Sequence, residues 1–340
     1  MQLTKLLLVY GILAVCCCNA HAASSSTLAR VQARGYLKCG VSEGLAGFSV
    51  IDDDGTWSGF DVDICRALGA AIFHDDKHVR YIPLAANDRF TALQSGEIDI
   101  LSRNTTWTLT RDVDLGMVFT TIVFYDGQGF LVHKKLGITK LAQLNNVTIC
   151  CNSGTTTELN TADYFQEHDL KYQMITFAKD AQVVAAYDSG RCDVYTADHS
   201  ALAAQRLRMK NPADHVLLDE TISKEPLAPA VRQEDAMWLD VVRWIVFGLM
   251  NAEEEGITRA NLNEQLKSNN ANVKRLLGTA EDLGHYLGLS SDFLLQAIKV
   301  TGNYGEIYER NVGINSQLKL PRGLNNLWNK QGLIYGAPYR

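Results

Sequence analysis

The stretch "NDRFTALQSGEIDILSRNTTWTLTR", residues 87–111, decides the fold class. Its first part has the pattern of a helix closed by Gly96, and the apolar run "IDILS" that follows is typical of a buried strand. The strand leads into a loop of hydroxyls, an amide and two arginines around Trp107. In a parallel sheet, ligands bind beyond the carboxyl ends of the strands, so this loop is a candidate binding element.

The segments before this stretch alternate between strand and helix patterns. Residues 35–42, "GYLKCGVS", and 79–84, "VRYIPL", read as strands. Between them, residues 60–73 place apolar side chains at intervals of four, which predicts a helix with Ser58 as its N-cap. The order strand, helix, strand, helix, strand predicts a mainly parallel sheet covered by helices.

The same order of elements appears a second time, from residue 145 to residue 197. The strand patterns are "NNVTICC", "YQMITF" and "RCDVYTA", and the helix patterns are "NSGTTTELNTADYFQEH" and "KDAQVVAAYDSG". No low-complexity linker separates the two series, so we expect two similar α/β halves joined by ordered segments.

A long helical tail follows residues 226–232. Its segment "WLDVVRWIVFGLM", residues 238–250, is apolar enough to suggest a membrane helix, but Asp240 and Arg243 interrupt it. A helix buried in the protein core is the better interpretation.

The first 22 residues have the pattern of a secretory signal peptide. Lys5 precedes an apolar run of thirteen residues, and Ala20 and Ala22 match the small-residue rule for cleavage after Ala22. The run is shorter than the roughly 20 residues that a membrane helix needs. A lipoprotein signal acylated at Cys16 is an alternative, although valine precedes this cysteine where a small residue is expected. The sequence therefore predicts a soluble exported protein.

Charge and cysteine content narrow the classes of partner. Removing Lys5 with the signal changes the net charge from −6 to −7, which gives no electrostatic reason to bind nucleic acid or anionic lipid. Five cysteines remain, namely Cys39, Cys65, Cys150, Cys151 and Cys192. Their spacing lacks the pairs typical of zinc sites, export makes disulfides plausible, and the odd number leaves one thiol over.

Three strand ends carry side chains of complementary chemistry. Arg111 and the helix that begins after Gly154 favour an anionic group, whereas Asp198 favours a cation. A zwitterion satisfies both, and α-amino acids are the commonest small zwitterions. Each residue also has an ordinary interpretation, because Arg111 could be an exposed charge, Asp198 a helix cap and Trp107 a core residue. Their coincidence in two similar halves favours a binding site.

Sequence motifs of common enzymes are absent. The chain contains no G-x-S-x-G, H-E-x-x-H or P-loop motif. Residues 74–78, "HDDKH", resemble a metal patch but are expected to form a solvated turn away from the strand ends. Asp198, His199 and Ser200 are neighbours in sequence, which is not how a catalytic triad is built. We expect no bound metal and no cofactor.

The whole chain after the signal resembles the family 3 solute-binding proteins of polar amino-acid ABC transporters. Within that family it is most similar to the general L-amino-acid and glutamate/glutamine binding proteins of Gram-negative bacteria. The segments that carry the resemblance include "GFDVDICRALGAAIF", "RFTALQSGEIDILSRNTTWTLTR", "SGTTTELNTADYF", "AAYDSGRCDVYTADHSAL" and "GNYGEIYERNVG".

The resemblance implies the type II periplasmic binding protein fold, with two α/β lobes and a ligand cleft between them. Each lobe would be a mainly parallel sheet flanked by helices, and two crossing segments, "FYDGQGFLV" and "PLAPAVR", would form the hinge. Residues 23–128 would belong to lobe one, residues 129–228 to lobe two, and residues 229–340 would return to lobe one as a helical extension.

The resemblance also implies roles for particular residues. Arg111 would hold the ligand α-carboxylate with help from Thr106 and Asn104, and Asp198 would accept hydrogen bonds from the α-ammonium. Thr155 and Thr156 would add hydroxyl and amide donors.

Two further ligand contacts are hypotheses about the ligand side chain. Arg103 would reach an acidic side chain. In the first strand-to-helix turn, where the family often places an aromatic ring against the ligand, Phe48 and Leu45 are the candidates.

Disulfides Cys39–Cys65 and Cys150–Cys192 are implied as well, one in each lobe, with Cys151 as the free thiol.

The implied function is capture of L-amino acids in the periplasm and delivery to a membrane permease, without catalysis or ATP hydrolysis by this chain. A monomer is the default expectation. Two alternatives share the fold. One is a periplasmic cyclohexadienyl dehydratase acting on prephenate or arogenate, with Glu43 or Glu158 as proton donor, and the other is the sensor domain of a signalling protein.

Overall fold

The computed structural model describes residues 26–340, so the predicted signal peptide lies outside the described residues. The strands are β1 Leu37–Ser42, β2 Val50–Ile51, β3 Trp57–Ser58, β4 Val79–Leu84, β5 Ile100–Leu101, β6 Met117–Phe119, β7 Phe124–Asp126, β8 Gln128–His133, β9 Val147–Asn152, β10 Tyr172–Phe177, β11 Val194–Asp198, β12 His215–Leu217, β13 Glu225–Leu227 and β14 Ala230–Arg232. The α-helices are α1 Thr27–Arg34, α2 Phe60–Phe73, α3 Arg89–Gln94, α4 Leu109–Asp114, α5 Thr156–Glu167, α6 Asp180–Asp188, α7 His199–Arg206, α8 Ala236–Glu254, α9 Leu262–Gln265, α10 Ala271–Leu276, α11 Phe293–Thr301 and α12 Tyr304–Asn311.

Two five-stranded sheets have the same internal order. The first runs β4-β1-β5-β14-β6, and the second runs β10-β9-β11-β8-β12. In each sheet the first three strands are parallel, and the fourth is antiparallel to both of its neighbours. Four of the five strands in each sheet therefore run in the same direction. The predicted α/β organisation with mainly parallel sheets is confirmed. We call the part around the first sheet lobe one and the part around the second sheet lobe two.

The chain passes between the lobes twice. β7 leads into lobe two and β13 leads back, and the two strands pair antiparallel as a short ribbon. The predicted boundary after residue 128 falls at the start of β8, and the one after residue 228 falls between β13 and β14. A ribbon of two short segments therefore connects the lobes.

The start of α2 differs from the prediction that Ser58 caps it. Ser58 pairs with Val50 at the end of β3, and Gly59 occupies the cap position with φ of 132°, a conformation that glycine alone adopts readily. The N–H groups of Phe60 and Asp61 donate instead to backbone carbonyls of the preceding turn, at 2.8 and 3.0 Å. A backbone cap replaces the side-chain cap because strand and helix follow each other with no intervening loop.

The C-terminal region packs on lobe one around α8. Trp238 is fully buried, and its indole N–H donates to the Asp99 carbonyl at 2.9 Å. Asp63 on α2 receives hydrogen bonds from Arg310 at 2.6 Å and Asn311 at 2.7 Å, which holds α12 against α2. The prediction of a buried helix over residues 238–250 is confirmed, and among residues 26–340 no helix has the length and apolar character for a membrane crossing.

Each lobe contains one disulfide bond. Cys39 of β1 is joined to Cys65 of α2, and Cys150 of β9 is joined to Cys192 just before β11. This is the pairing that the resemblance implies. Cys151 is a buried free thiol on the opposite face of β9, in contact with Met174.

Replacing both Cys150 and Cys192 with alanine will destabilise the protein by about 4 kcal/mol. The bond spans 42 residues, and its loss returns conformational entropy to the unfolded chain. Urea unfolding followed by circular dichroism measures the change. Cys151→Ala is the matched control, because it removes a buried sulfur from the same strand without opening a loop. Equal losses in the double variant and the control would contradict the expectation.

Candidate functional site

A polar cavity lies between the lobes, beyond the carboxyl ends of the parallel strands. Its volume, counted out to the open mouth, is about 560 Å³. From lobe one it is lined by Leu45, Ala86, Arg89, Arg103, Asn104, Thr106 and Arg111. From lobe two it is lined by Asn152, Thr155, Thr156, Thr157, Asp180, Tyr195, Thr196, Ala197, Asp198, Ala201 and Gln205. The carboxyl-terminal edges of both sheets therefore face the same cavity, as expected from the position of the strand ends.

Arg111 is fixed with its guanidinium in the cavity. It lies in the short helix α4, whose cap Thr108 accepts a hydrogen bond from the Arg111 backbone N–H. One guanidinium N–H donates to the Thr106 carbonyl at 2.9 Å, and the group lies over the Phe90 ring. Burial lowers the pKa of Arg111, while the carboxylates of Glu225 and Asp198 raise it. The remaining N–H groups form a planar fork suited to a carboxylate.

Asn104 combines a left-handed backbone with an unpaired side chain. Its φ is 27°, and its backbone N–H donates to the buried carboxylate of Asp61 at 3.0 Å. Its side-chain Oδ1 is buried in the cavity without a hydrogen-bond partner among the described residues. An acceptor is thus available to a ligand at this point of lobe one.

The two threonines after Gly154 lie in the cavity wall, but their hydroxyls are engaged. Thr155 donates to the Asn152 carbonyl at 2.8 Å, and Thr156 donates to Glu225 at 3.0 Å. The donors that remain are the backbone N–H groups of the first turn of α5, which have no partner inside the helix. The contribution of Thr155 and Thr156 to a ligand therefore stays a prediction, with the backbone amides as the donors that remain open. The N-terminal end of α5, which is the positive end of its helix dipole, favours an anion there.

Asp198 is the last residue of β11 and occupies the cap position of α7, but its side chain makes no capping hydrogen bond. The carboxyl instead lines the cavity and is 8% exposed. Burial raises its pKa well above the usual range, as do Asp126 and Glu225, while Arg111 and Arg89 lower it. The interpretation of Asp198 as an ordinary helix cap is thereby set aside.

Phe48 does not line this cavity. Its ring packs in the lobe-one core against Phe60 and Phe124, with centroid distances of 6.3 and 5.5 Å. Leu45, three residues earlier in the same turn, lines the cavity instead. The expectation that Phe48 touches a ligand is therefore corrected. Its ring is more stable when it is buried against two other aromatic rings in the core than when it is exposed in a polar cavity.

Arg103 lies in the cavity wall, as the sequence argument proposed. It is 5% exposed, and its Nε donates to the Leu84 carbonyl at 3.0 Å. Burial lowers its pKa, and the nearby carboxylates of Asp180 and Asp61 raise it.

The sequence argument missed two charged residues of the cavity, Arg89 and Asp180. Arg89 begins α3 just beyond the end of β4, and Asp180 begins α6 just beyond the end of β10. Both therefore follow strands at the same sheet edges as the predicted residues. Their position beyond the strand ends was the available signal, but a charged residue at the start of a helix is common and does not by itself indicate a site.

The lobes touch on either side of the cavity. Asn87 of lobe one donates to the Ser153 hydroxyl at 2.9 Å, and Arg208 of lobe two donates to the Gly44 carbonyl at 3.2 Å. Lys179 also lies 3.8 Å from the carboxylate of Glu43. The cavity is therefore flanked by contacts that exist only when the two lobes are together.

The "HDDKH" segment does not belong to this site. His74 ends α2 and bonds Ser290, and His78 stacks on Phe73. Within the described part of the chain, no group of three or more His, Cys, Asp or Glu side chains is arranged to hold a metal ion.

Comparisons with known proteins agree on one family. Residues 37–275 match the family model of bacterial extracellular solute-binding proteins, family 3. The general L-amino acid-binding periplasmic protein of Rhizobium johnstonii is 53% identical over 96% of each chain. The glutamate/glutamine/aspartate/asparagine-binding protein of Rhodobacter capsulatus is 47% identical over 97% of this chain and 98% of its own length.

A solved structure has the same fold over nearly the whole chain. It is an ABC transporter periplasmic binding protein from Brucella ovis with glutathione bound, and it is 55% identical. The TM-score is 0.91, with coverage of 93% of this chain and 100% of the other. The predicted two-lobe fold of periplasmic binding proteins is thus confirmed.

In the unliganded protein, the contribution of Asp61 to stability will fall as the pH rises from about 4 to about 7, and Asp61→Asn will remove that fall. Burial raises the pKa of Asp61 to about 7, against the opposing effects of the Asn104 N–H and Arg103. An acid whose pKa is raised by folding stabilises the native state only while protonated. The free energy of unfolding, from urea titrations at pH 4.5, 6 and 8, should therefore favour Asp61→Asn increasingly at higher pH. The exposed Asp53→Asn is the control, and a difference between Asp61→Asn and the parent that stays constant with pH would refute the argument.

Proposed function

The chain belongs to the bacterial extracellular solute-binding proteins of family 3, and we propose that it captures polar L-amino acids in the periplasm and delivers them to an ABC transporter permease. Glutamate, glutamine, aspartate and asparagine are the expected ligands. Relatives named for binding amino acids support this proposal. The chain acts by binding rather than by catalysis.

The observation that carries the proposal is the placement of Arg111 and Asp198 in one cavity. Both side chains are buried, and they come from opposite lobes. An α-amino acid presents a carboxylate and an ammonium group on one carbon atom, which is the charge pattern that this pair complements. A buried charge is stable only when it is paired and hydrogen-bonded, so each residue favours a ligand that supplies its counterion.

The remaining polar groups have roles around this pair. Arg111 holds the α-carboxylate, and the amide donors at Thr155 and Thr156 add hydrogen bonds to it from lobe two. Thr106 fixes the guanidinium, and the unpaired Oδ1 of Asn104 accepts from the ammonium beside Asp198. Arg103 reaches the ligand side chain.

Because each lobe supplies half of these contacts, a ligand favours the arrangement in which both lobes touch it. The equilibrium between separated and joined lobes shifts by the difference in the ligand's affinity for the two arrangements. The short ribbon of β7 and β13 is the natural hinge for this motion. A permease then distinguishes the loaded protein by its joined lobes.

Glutathione is a second candidate ligand, because the Brucella ovis protein was solved with it bound. Its γ-glutamyl end carries the same free α-carboxylate and α-ammonium as glutamate. The same head-group residues therefore serve it.

The dehydratase alternative has less support. Its proposed proton donors, Glu43 and Glu158, do not line the cavity. Glu43 faces Lys179, and Glu158 accepts from the Gly154 N–H at 3.3 Å. Prephenate belongs in the ligand screen, because its conversion to phenylpyruvate would establish the enzyme instead.

A thermal-shift screen on refolded, ligand-free protein will show stabilisation by glutamate, glutamine, aspartate or asparagine. A ligand at 100 times its Kd adds roughly 2.7 kcal/mol. Arg111→Gln and Asp198→Asn should each raise the calorimetric Kd by about 100-fold, since each leaves one ligand charge unpaired in a buried site.

Arg80→Gln and Asp53→Asn are the matched controls, because they remove the same charges from exposed positions of lobe one. Both should keep the parent Kd. No response to any amino acid, together with a response to prephenate, would overturn the proposal.

Gly154→Ala will weaken amino-acid binding at least tenfold. Gly154 has φ of 71°, and a Cβ there would collide with the Asn87 side chain of lobe one, so the substitution opposes joining of the lobes. Isothermal titration calorimetry measures the effect.

Gly190→Ala is the control, because Gly190 has φ of 80° in lobe two and open space around it. It carries the same backbone strain without the collision. Equal Kd values for the two variants would show that contact between the lobes at Gly154 does not govern binding.

A further inference from the structure

Glu225, the first residue of β13, is a buried carboxylate with no part in the binding contacts described so far. Its side chain is 1% exposed and does not line the cavity. Its Oε2 accepts from the Thr156 hydroxyl at 3.0 Å. Its Oε1 accepts from the side-chain amide of Asn160 at 2.8 Å and from the Ser223 hydroxyl at 2.6 Å. Hydrogen bonds to a buried carboxylate are stronger than neutral ones, so these three donors are held firmly.

Two of the three donors belong to the start of α5. Thr156 and Asn160 are four residues apart, so both lie on the face of the helix that contacts Glu225. The side chain of the cap residue, Thr155, makes no capping hydrogen bond, which leaves the N–H groups of the first turn open to a ligand. Glu225 therefore holds in place the turn that presents these N–H groups to the cavity.

The rest of β13 is attached to lobe one. The Pro226 carbonyl accepts from the Trp107 N–H at 2.8 Å, and Leu227 forms a β-bridge with Thr106. The Thr106 carbonyl also accepts from the Arg111 guanidinium at 2.9 Å. One short strand thus contacts both elements that are expected to hold the ligand carboxylate, the Arg111 loop of lobe one and the first turn of α5 in lobe two.

We infer that Glu225 is a positioning residue for the α-carboxylate of the ligand. It sets the first turn of α5 at a fixed place relative to the Arg111 guanidinium, through the hydrogen bonds that β13 makes to both lobes. Donors that are already in place need not be ordered by the ligand, which favours binding. The effect is the same for every amino acid, because all share the α-carboxylate. This role rests on the proposed function, since it concerns the same site.

A role for Glu225 through its charge alone can be separated from a role through its position. Burial lowers the pKa of Arg111, and Glu225 is foremost among the carboxylates that oppose this effect. Glutamine at position 225 removes the charge but keeps the shape. Its oxygen accepts from Asn160 and Ser223, and its NH₂ group donates to the Thr156 hydroxyl. Alanine removes both the charge and the hydrogen bonds.

The test is calorimetry of glutamate and glutamine binding on the full mature chain, refolded to remove carried-over ligand. Glu225→Ala should raise both Kd values by the same factor, about tenfold, because the ligand must then order the first turn of α5. Glu225→Gln should keep both Kd values within about twofold of the parent, because it retains the hydrogen bonds.

Glu220→Ala is the matched control. Its carboxylate accepts from the Leu141 N–H of lobe two at 3.0 Å and does not line the cavity. Loss of this carboxylate should leave both Kd values at those of the parent.

A double-mutant cycle tests the connection through α5. Asn160→Ala should raise both Kd values by about threefold, less than Glu225→Ala, because Thr156 is still held. Adding Asn160→Ala to Glu225→Ala should cause no further loss, since the two residues share one hydrogen bond. Effects of the two substitutions that multiply independently would overturn the positioning role.

The outcomes separate this role from the proposed function. A parent protein that binds neither amino acid would remove both. If the parent binds them, the positioning role alone is overturned by parent Kd values in Glu225→Ala, by equal losses in Glu225→Gln and Glu225→Ala, or by a loss confined to one ligand. A cooperative thermal transition shows that a ligand-free variant is folded. If Glu225→Ala does not fold, Asn160→Ala decides, and parent Kd values in it would overturn the role.

Discussion

The distribution of charge between the lobes is the constraint on which the site depends. Lobe one brings three buried arginines to the cavity, Arg89, Arg103 and Arg111, whereas lobe two brings two carboxylates, Asp180 and Asp198. Among the residues that line the cavity, the positive charges come from lobe one and the negative charges from lobe two. Joining the lobes places opposite charges across a small space, and a ligand with charges of both signs completes the pairing. Ligand binding and joining of the lobes are therefore coupled, because the same charges take part in both.

The fold places both sets of charges at equivalent positions, beyond the carboxyl ends of the strands in each sheet. Because the two sheets share one strand order, their carboxyl-terminal edges carry equivalent loops that meet across the cavity. The C-terminal region holds the ribbon of β7 and β13 in place between the lobes. Asn325 bonds both the N–H and the carbonyl of Tyr125 in β7, at 2.6 and 3.1 Å, and the Tyr304 hydroxyl bonds the carbonyl of Val123. The tail thus anchors one strand of the ribbon to lobe one.

Local patterns in the sequence were sufficient to predict the parallel strands and the helices between them. Arg111 and Asp198 were singled out because each lies beyond the end of a predicted strand and carries a charge that complements one end of an amino acid, and both line the cavity. Arg89 and Asp180 were missed because a charged residue at a helix start has an ordinary explanation, and only the strand order shows that these helices begin at the cavity.

Two further errors arose from tertiary contacts. Ser58 lost the capping role to backbone carbonyls of a turn that the sequence pattern does not reveal. The sequence did not show whether Leu45 or Phe48 faces the cavity, because both are apolar and lie in the same turn. The answer depends on the rings of Phe60 in α2 and Phe124 in β7, against which Phe48 packs.

Selectivity in such a cavity comes from what a wrong ligand leaves unpaired. The surrounding donors and acceptors are already buried, so water cannot replace a missing ligand group at full strength. An apolar side chain would leave Arg89 Nε without a partner and two opposite charges separated by a hydrocarbon. A polar side chain removes that penalty, because charges of both signs line the cavity.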